Sequence, residues 1–321
     1  MNTYLAMDLG GTKLMIAEVT ADGEILCSKQ YKSAYPNQQE GVAGILESLD
    51  DYCQSVGFKE TPVMIGMGLT GKVDHKKGIW RSLGHIDQDL IPLADILTKK
   101  MGLPAVLDND MHSAAMAELL LGCGKYCDDF IYLNIGTGLA AGLVSDRHVI
   151  HGVNNMSGEI GHTSIGINQD VSCGCGKSGC CERTVSGIGF DAQARRLSPS
   201  YPNSPLCIPE DPGIRVSGYE VFELASKGDP LCTRIVEEGI EALVILITNM
   251  IRYTDPAVVV MGGGMAMNDM LFQRVKDGLT HYSVMRNVPY GIIRSAFSPD
   301  KVGIIGAASL AIAKHRGLLS Y

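Results

Sequence analysis

Residues 4–13 read Tyr4-Leu5-Ala6-Met7-Asp8-Leu9-Gly10-Gly11-Thr12-Lys13, an apolar strand that runs directly into a small glycine loop. Further apolar runs predict strands at Leu14–Thr20 and Ile25–Lys32, with Asp22-Gly23 as the hairpin turn between them. Helical periodicity follows at Gln38–Val56. Strands followed by helices in this way are typical of an α/β domain built on a mixed sheet.

The same order of elements returns in the second half of the chain. Short strands are predicted at Phe130–Ile135, Leu139–Ser145 and Arg147–His151, and the first two enclose a second glycine loop, Asn134-Ile135-Gly136-Thr137-Gly138. This similarity predicts an internal repeat. The remaining predicted elements are strands at Val63–Leu69, Ala105–Asp108 and Ala257–Met261, and helices at Leu93–Met101, His112–Gly122, Tyr219–Lys227, Pro230–Tyr253, Asp269–Thr280 and Ile305–Arg316.

Length and composition predict two domains. A chain of 321 residues, 45% of them hydrophobic, can bury a large core and usually divides in two. We expect an N-terminal α/β domain of residues 1–112, completed by a C-terminal helix at about residues 304–321, and a larger α/β domain of residues 113–303.

Charge, hydropathy and cysteine usage narrow the class of protein. The net charge of −8 and the pI near 5.5 argue against a general nucleic-acid surface, which would require clustered Lys and Arg. The longest apolar run, Ala242–Met250, is too short to cross a bilayer, and the N-terminus has the pattern of neither a signal peptide nor an anchor. Ten cysteines without a paired framework are typical of a reducing compartment. We therefore expect a cytoplasmic protein that binds neither membranes nor nucleic acid.

A histidine and a group of cysteines lie close together between residues 159 and 182. The segments are Glu159-Ile160-Gly161-His162 and Cys173-Gly174-Cys175-Gly176-Lys177-Ser178-Gly179-Cys180-Cys181-Glu182. Zinc prefers four thiolate and imidazole ligands in a tetrahedron, and glycines let a loop turn around a small ion. The spacing predicts a closed structural zinc site with ligands His162, Cys173, Cys175 and Cys180, and it leaves Cys181 as a packing residue. The alternative is buried reduced cysteines or a local disulfide, but a glycine-rich loop offers no core in which to bury thiols.

Both glycine loops have the composition of a phosphate-binding site. Glycines let backbone N–H groups approach an anion closely, and a threonine hydroxyl adds a side-chain donor. Asp8, at its strand end, is placed to hold Mg²⁺ through water, because Mg²⁺ takes few protein carboxylates. One such loop alone is more often a tight hairpin turn, but two in equivalent places favour a nucleotide held across a cleft. The predicted nucleotide-binding residues are Asp8, Gly10, Gly11, Thr12, Lys13, Gly136, Thr137 and Gly138.

A third glycine element, Val260-Met261-Gly262-Gly263-Gly264-Met265, ends an apolar strand and precedes a helix. Such a turn can lay its backbone against the flat face of an adenine, and a βα turn that needs positive φ explains it equally well. No Gly-x-x-x-x-Gly-Lys-Ser/Thr stretch occurs in the sequence, which excludes a Walker-type phosphate loop.

Three polar residues, Asp108-Asn109-Asp110, follow a predicted strand directly and precede a helix. A carboxylate at this position can accept the proton of an attacking sugar hydroxyl, and an adjacent amide can both donate to and accept from hydroxyls. The alternative is helix N-capping, for which Asp and Asn are common. Three such residues in a row exceed what capping needs, so we predict a sugar site here.

These motifs, in this order, resemble the ROK family of bacterial sugar kinases, repressors and open reading frames. The resemblance runs from Asp8 to Gly306-Ala307-Ala308, and the Glu-x-Gly-His and Cys-x-Cys-Gly-x-x-Gly-Cys-x-Glu motifs carry it. It implies the two-domain fold of actin and the chaperone ATPases, an RNase H-like fold with mixed sheets flanked by helices and a cleft between domains. It further implies ATP-dependent phosphorylation of a hexose or N-acetylhexosamine, most often at the 6-hydroxyl, by a homodimer that uses Mg²⁺ and structural Zn²⁺.

The resemblance also implies roles for single residues. Asp110 would be the catalytic base that deprotonates the sugar hydroxyl. The residues that would bind the sugar are Gly71, Asn109, Asp110, Glu159, His162 and Glu182. His162 and the three cysteines would hold zinc, the two threonine-containing loops would hold the ATP phosphates, and Gly262, Gly263 and Gly264 would lie near adenosine.

Three departures from the family pattern affect the substrate sites. Thr70 stands where proline is common in the loop Gly66-Met67-Gly68-Leu69-Thr70-Gly71, and an Asn-Leu-Pro-x-Trp segment is replaced near Ser82-Leu83-Gly84-His85-Ile86. Both changes concern the identity of the sugar. Ala140 and Ala141 stand where glycines are common, and alanine would cost on the order of 1 kcal/mol at each position that needs positive φ.

Two other functions fit parts of this pattern. A catalytically silent sugar sensor on the same fold would bind sugar without producing ADP, although it would not need Asp8, Asp110 and both threonines. A ROK repressor would carry a DNA-binding domain before the first strand, for which the segment ahead of Tyr4 leaves no room. The pattern does not distinguish among glucose, mannose, allose, fructose and the N-acetylhexosamines.

Overall fold

The computed structural model describes residues 2–83 and 86–319. Gly84 and His85, part of the altered sugar-side segment, lie outside the described residues. The chain forms two compact units. The first comprises Met1–Tyr126, Arg147–Ser157 and Ala296–Tyr321, and the second comprises Cys127–Asp146 and Gly158–Ser295.

The secondary structure alternates strands with helices. The strands are β1 (Thr3–Leu9), β2 (Lys13–Thr20), β3 (Ile25–Lys32), β4 (Pro62–Leu69), β5 (Val73–Asp74), β6 (Ile79–Leu83), β7 (Ile86–Ile91), β8 (Ala105–Asn109), β9 (Phe130–Ile135), β10 (Leu139–Ser145), β11 (His148–Val149), β12 (Val258–Gly262) and β13 (Ile292–Arg294). The helices are α1 (Gln38–Ser55), α2 (Leu93–Met101), α3 (Asp110–Leu121), α4 (Gly187–Leu197), α5 (Gly218–Ser226), α6 (Pro230–Thr254), α7 (Asp269–Leu279) and α8 (Val302–His315).

The first unit is built on a mixed five-stranded sheet in the order β3-β2-β1-β4-β8. Strand β1 is antiparallel to β2 and parallel to β4, and β4 is parallel to β8. The carboxyl ends of three parallel strands therefore lie at one edge, where Leu9, Leu69 and Asn109 are in register. One residue earlier in each strand, Gly68 of β4 pairs with Asp8 of β1 on one side and with Asp108 of β8 on the other. Strands β5, β6 and β7 form a separate small sheet.

The second unit repeats this arrangement. Its strands follow the order β10-β9-β12-β13, with β10 antiparallel to β9 and the other neighbours parallel. Strand β12 is fully buried, because Val and Met residues fill both of its faces. The carboxyl ends of β9 and β12 coincide, and Asn134 pairs with Gly262 there. This edge carries the second and third glycine elements.

The structure confirms the predicted fold class, and most predicted elements agree with it within two or three residues. The sequence assigned the helix after residue 112 to the larger domain, but α3 belongs to the first unit. The reason is its close packing on α8, where a Cβ on Gly306 would be 2.5 Å from the carbonyl oxygen of Ser113. Within residues 2–83 and 86–319, no helix combines the length and apolar character needed to cross a bilayer.

Candidate functional site

The junction of β8 and α3 presents two of the predicted sugar-binding residues, Asn109 and Asp110, at the edge of the first sheet. Asn109 caps the helix, because its Oδ1 accepts from the N–H of Met111 at 2.9 Å, and its Nδ2 donates to the carbonyl of Gly71 at 3.1 Å. Asp110, half-buried, is the first residue of α3. Capping therefore explains Asn109 in part, while the amide also joins it to the predicted sugar-side residue Gly71. Asp108 is buried and plays a different role, described below.

The first glycine loop is the turn of the β1–β2 hairpin. Gly10 donates its N–H to the carbonyl of Lys13 at 2.9 Å, and Ser33 Oγ donates to the Gly10 carbonyl at 3.0 Å. Gly11 and Thr12 are exposed, and no heavy atom lies within 4 Å of the place that a Cβ on Gly11 would occupy. The loop thus has open space above its backbone, as a phosphate-binding turn requires.

Asp8 is the penultimate residue of β1, directly before this loop, and it is half-buried. Burial raises the pKa of its carboxyl group to about 6, although the positive charge of Lys13 opposes the shift. A carboxylate in this position would be stabilised by a divalent cation. Mg²⁺ takes few protein carboxylates, so a single carboxylate beside the first glycine loop fits the predicted role.

The second glycine loop borders a cavity of about 700 Å³ in the second unit. The volume is within the range of small-molecule sites, roughly 300–1,000 Å³. Gly136 and Thr137 lie on its wall, and their carbonyls accept from the N–H groups of Gly187 and Ile188 at the start of α4. Other lining residues include Gly187, Tyr219, Phe222, Gly264, Met265 and Asn268. An apolar cavity with a glycine loop on one wall is suited to a nucleoside phosphate.

The third glycine element divides into two parts. Gly264 lines the cavity, whereas Gly262 and Gly263 are held by packing. A Cβ on Gly262 would be 2.5 Å from the hydroxyl of Tyr132. Gly263 has φ +85°, and a Cβ on it would be 2.5 Å from the carbonyl oxygen of Ile135. The βα-turn explanation therefore applies to Gly262 and Gly263, and it leaves Gly264 beside the cavity.

Ala140 and Ala141 occupy regular positions in β10, opposite Asn134 and Leu133. Neither residue has a positive φ. The strain that alanine would suffer in the left-handed region is therefore absent at these two positions.

Glu182 lies next to the second glycine loop. Its Oε2 accepts from the N–H of Leu139 at 3.0 Å, and a Cβ on Gly138 would be 2.6 Å from the same oxygen. The turn that contains Gly161 packs on it as well, since a Cβ on Gly161 would be 3.1 Å from the Glu182 Cβ. The structure thus brings Glu182 together with the Glu159–His162 segment.

The four predicted zinc ligands converge. Cys173 Sγ lies 3.5 Å from His162 Nδ1, Cys175 Sγ lies 3.5 Å from Cys180 Sγ, and all four ligand atoms lie within 4.8 Å of one another. Sulfur atoms about 2.3 Å from one tetrahedral zinc ion would be separated by roughly 3.8 Å, so the set fits zinc. Cys181 instead points to the carbonyl of Ala242 in the core, as a packing residue does.

His162 can serve the zinc site and a substrate site at once. Its Nδ1 is the atom nearest Cys173 Sγ, while its Nε2 lies 3.8 Å from a carboxylate oxygen of Glu159. A metal on Nδ1 would fix the orientation of the ring and direct Nε2–H toward that carboxylate. The His162 ring therefore lies between Cys173 and the Glu159 carboxylate.

Comparison with known proteins identifies the family. The model of the ROK family matches residues 4–314. The chain belongs to the ROK family. It is 28% identical over 313 residues to a glucokinase of Halalkalibacterium halodurans, covering 96% of this chain and 94% of that one. It is also 28% identical over 306 residues to an N-acetylmannosamine kinase of Escherichia coli, covering 94% of this chain and 96% of that one.

Solved structures of ROK proteins show the same fold. A ROK family glucokinase from Streptomyces griseus, in complex with glucose and AMPPNP, is 25% identical and superposes with a TM-score of 0.75. The match covers 97% of this chain and 99% of that one. The whole ROK fold is therefore present, and its sugar and nucleotide chemistry can be proposed residue by residue.

In this ROK chain, a cluster of histidines that was not predicted from the sequence lies around Asp108. His112 Nδ1 lies 3.2 Å from Asp108 Oδ1, His151 Nε2 lies 2.7 Å from Asp108 Oδ2, and the ring of His75 stacks on that of His151. The only signal in the sequence is the four-residue spacing of Asp108 and His112, which places both on one side of the strand–helix junction. His75 and His151 are too far away in the sequence to be associated with them.

Proposed function

We propose that this ROK protein catalyses phosphoryl transfer from MgATP to a hydroxyl of a hexose or N-acetylhexosamine, most often the 6-hydroxyl. The observation that carries the proposal is the position of Asp110. It lies in the first turn of α3, at the same sheet edge as Asp8. Membership of a family that includes a glucokinase and an N-acetylmannosamine kinase supports the proposal.

In this proposal Asp110 accepts the proton of the attacking hydroxyl. General-base help of this kind contributes roughly 10²–10⁴-fold to the rate. Asn109 orients the sugar, and its amide is held by the Gly71 carbonyl and the N–H of Met111. Because both of its hydrogen bonds are to backbone groups of the first unit, Asn109 is fixed before substrate binds.

The glycine loops and Asp8 serve the nucleotide. We propose that Gly10, Gly11, Thr12 and Lys13 contact phosphates from the first unit, and that Gly136, Thr137 and Gly138 do so from the second. Gly264, with Gly262 and Gly263 shaping its turn, would lie against adenosine in the cavity of about 700 Å³. Mg²⁺, when bound with ATP, would neutralise the developing phosphate charge, and Asp8 would hold it through water.

Glu159, His162 and Glu182 would bind sugar hydroxyls from the second unit. The zinc ligands His162, Cys173, Cys175 and Cys180 would keep the loop that carries them in shape. A zinc ion with four protein ligands has no open position for water, so its proposed role is structural. Glu182 is already positioned by the N–H of Leu139.

The proposal is tested by measuring ADP formation with MgATP over a panel of hexoses and N-acetylhexosamines. Turnover on one sugar, absent without that sugar, would establish the kinase and identify its substrate class. If no sugar gave ADP while calorimetry still showed sugar binding, the protein would be a sensor on the same fold. A homodimer is part of the proposal, and sedimentation analysis tests it separately.

A further inference from the structure

Three histidines of the first unit surround one buried carboxylate. Asp108 accepts from His112 Nδ1 at 3.2 Å and from His151 Nε2 at 2.7 Å, and its Oδ1 also accepts from the N–H of Asn109 at 2.8 Å. Asp108 and His112 each have 1% of their side-chain surface exposed. His75, also buried, stacks on His151 with 3.7 Å between ring centroids and bonds to Asn155 through its Nδ1.

The ring geometry argues against a metal ion shared by His75 and His151. Their planes are only 19° apart, so the in-plane lone pairs of the two rings run side by side. Imidazole ligands of one ion must instead converge on a point about 2.0–2.1 Å from each nitrogen. The cluster is better explained as a hydrogen-bonded network.

Both ring nitrogens of His112 face acceptors. Nδ1 faces the Asp108 carboxylate, and Nε2 lies 3.1 Å from the carbonyl oxygen of Ser157. A neutral imidazole carries one N–H and can donate to only one of these groups, whereas the imidazolium donates to both. A carbonyl has no proton to give, and Asp108 already accepts from two further donors. Both contacts are therefore hydrogen bonds only when His112 is protonated.

We propose that His112 is a positioning residue of the phosphoryl-transfer site, acting as an imidazolium that ties Ser157 to Asp108. This inference rests on the proposed function. The bond to Asp108 holds the end of β8, and Asp110 follows two residues later in the first turn of α3. The bond to Ser157 anchors the end of the segment 147–157, two residues before Glu159 in the sequence. One charged ring thus fixes the backbone next to the proposed base.

The surrounding charges support this state. Burial lowers the pKa of His112, but its hydrogen bond to Asp108, the attraction of that carboxylate, the Ser157 carbonyl and the charge of Asp110 together raise it above its usual value. Among the described residues, His151 and His75 are further titratable groups that face the network. Burial and the neighbouring histidines lower the pKa of His75, so it does not compete for the proton.

The first test is the pH dependence of kcat for the wild type and for His112→Gln. Wild-type kcat should fall as pH rises through the raised pKa of His112, because deprotonation breaks one of the two hydrogen bonds. His112→Gln should lower kcat about 10- to 100-fold at pH 7, since small misplacements near the chemistry have effects of this size, with less change in the sugar KM. The variant should also lose the decrease of kcat at alkaline pH. The exposed His281→Gln is the control and should match the wild type.

If kcat of His112→Gln still decreased at alkaline pH as in the wild type, the proposal would be overturned. A purely structural role of His112 would lower kcat at every pH without removing this decrease.

A second measurement does not depend on turnover. In nitrogen-15 spectra of the eight labelled histidines, one ring should keep both nitrogens protonated at pH 7.5, and its signals should vanish in His112→Gln. If no ring is doubly protonated, the proposal fails even though the kinase may be active. If the ring is protonated but no sugar is phosphorylated, the proposed function fails instead.

Discussion

Asp8 and Gly303 are packed so closely that a Cβ on Gly303 would overlap the Asp8 carboxylate. Gly303 is in the first turn of α8, whose N-terminal N–H groups carry partial positive charge. The absence of a side chain on Gly303 therefore lets a helix terminus lie directly beside the carboxylate that we propose for Mg²⁺.

This contact predicts that the effect of Gly303→Ala on the free energy of unfolding changes sign when Asp8 is also replaced. Gly303→Ala in the wild type should destabilise the protein by about 1–3 kcal/mol, as overpacking does. In an Asp8→Ala background the carboxylate is gone, and the same change should stabilise by about 0.5–1 kcal/mol through helix propensity. Urea unfolding of the four proteins measures both values. Equal effects in the two backgrounds would show that the two residues do not interact.

Asp8 should destabilise the folded protein at neutral pH. Its pKa is raised from 3.8 to about 6, so the folded state binds the proton more tightly than the unfolded state and stability falls as pH rises from 4 to 6. Asp8→Asn should therefore be more stable than the wild type by about 2–3 kcal/mol above pH 6, an advantage that shrinks toward pH 4. Thermal unfolding without Mg²⁺ and nucleotide tests this, with exposed Asp95→Asn as the control. A pH-independent difference would contradict the assignment.

Zinc should be required for sugar binding more than for nucleotide binding. Cys175→Ser should abolish zinc in freshly purified protein and weaken sugar binding about tenfold, because one charged hydrogen bond to the sugar is worth about 1.5 kcal/mol. Binding of ATP should change less than twofold. Metal analysis and calorimetry measure these effects, and Cys207→Ser, an exposed cysteine outside the cluster, should keep its zinc. Wild-type protein without zinc would exclude the site.

Restoring glycine at residues 140 and 141 should not improve ATP binding. Both alanines lie in a regular strand without positive φ, so no strain is relieved. Ala140→Gly and Ala141→Gly should each cost about 0.5–1 kcal/mol of stability, because glycine weakens a strand interior. The KM for ATP should stay within twofold of the wild type. A clear decrease would indicate that the family glycines serve the phosphates directly.

The apolar runs of the sequence predicted the two principal sheets well, because β12 is buried throughout and β1 and β9 are buried at all positions except one each, Asp8 and Asn134. Strand β5 was missed because it has only two residues, and β6 and β7 were missed because polar residues such as Arg81, Asp87 and Asp89 interrupt their apolar pattern. Helix α4 was missed because Gly187 and Gly189 lower its intrinsic helix propensity. In the structure Ser186 caps the helix, since its Oγ accepts from the N–H of Gly189, and this cap offsets the low propensity.

The candidate site was predicted where its residues are adjacent in the sequence. The zinc ligands span nineteen residues from His162 to Cys180, and the tetrahedral preference of zinc was enough to select them. The network of His75, Asp108, His112 and His151 could not be found in this way. Its members come from separate segments, and only the fold brings them together.

The most direct test of the proposed function is the comparison of Asp110→Asn with the wild type on the sugar that gives turnover. We predict that kcat falls about 10²–10⁴-fold, because the general base is lost, while sugar and ATP still bind with affinities close to those of the wild type. Turnover near the wild-type rate would contradict the role of Asp110 as the base.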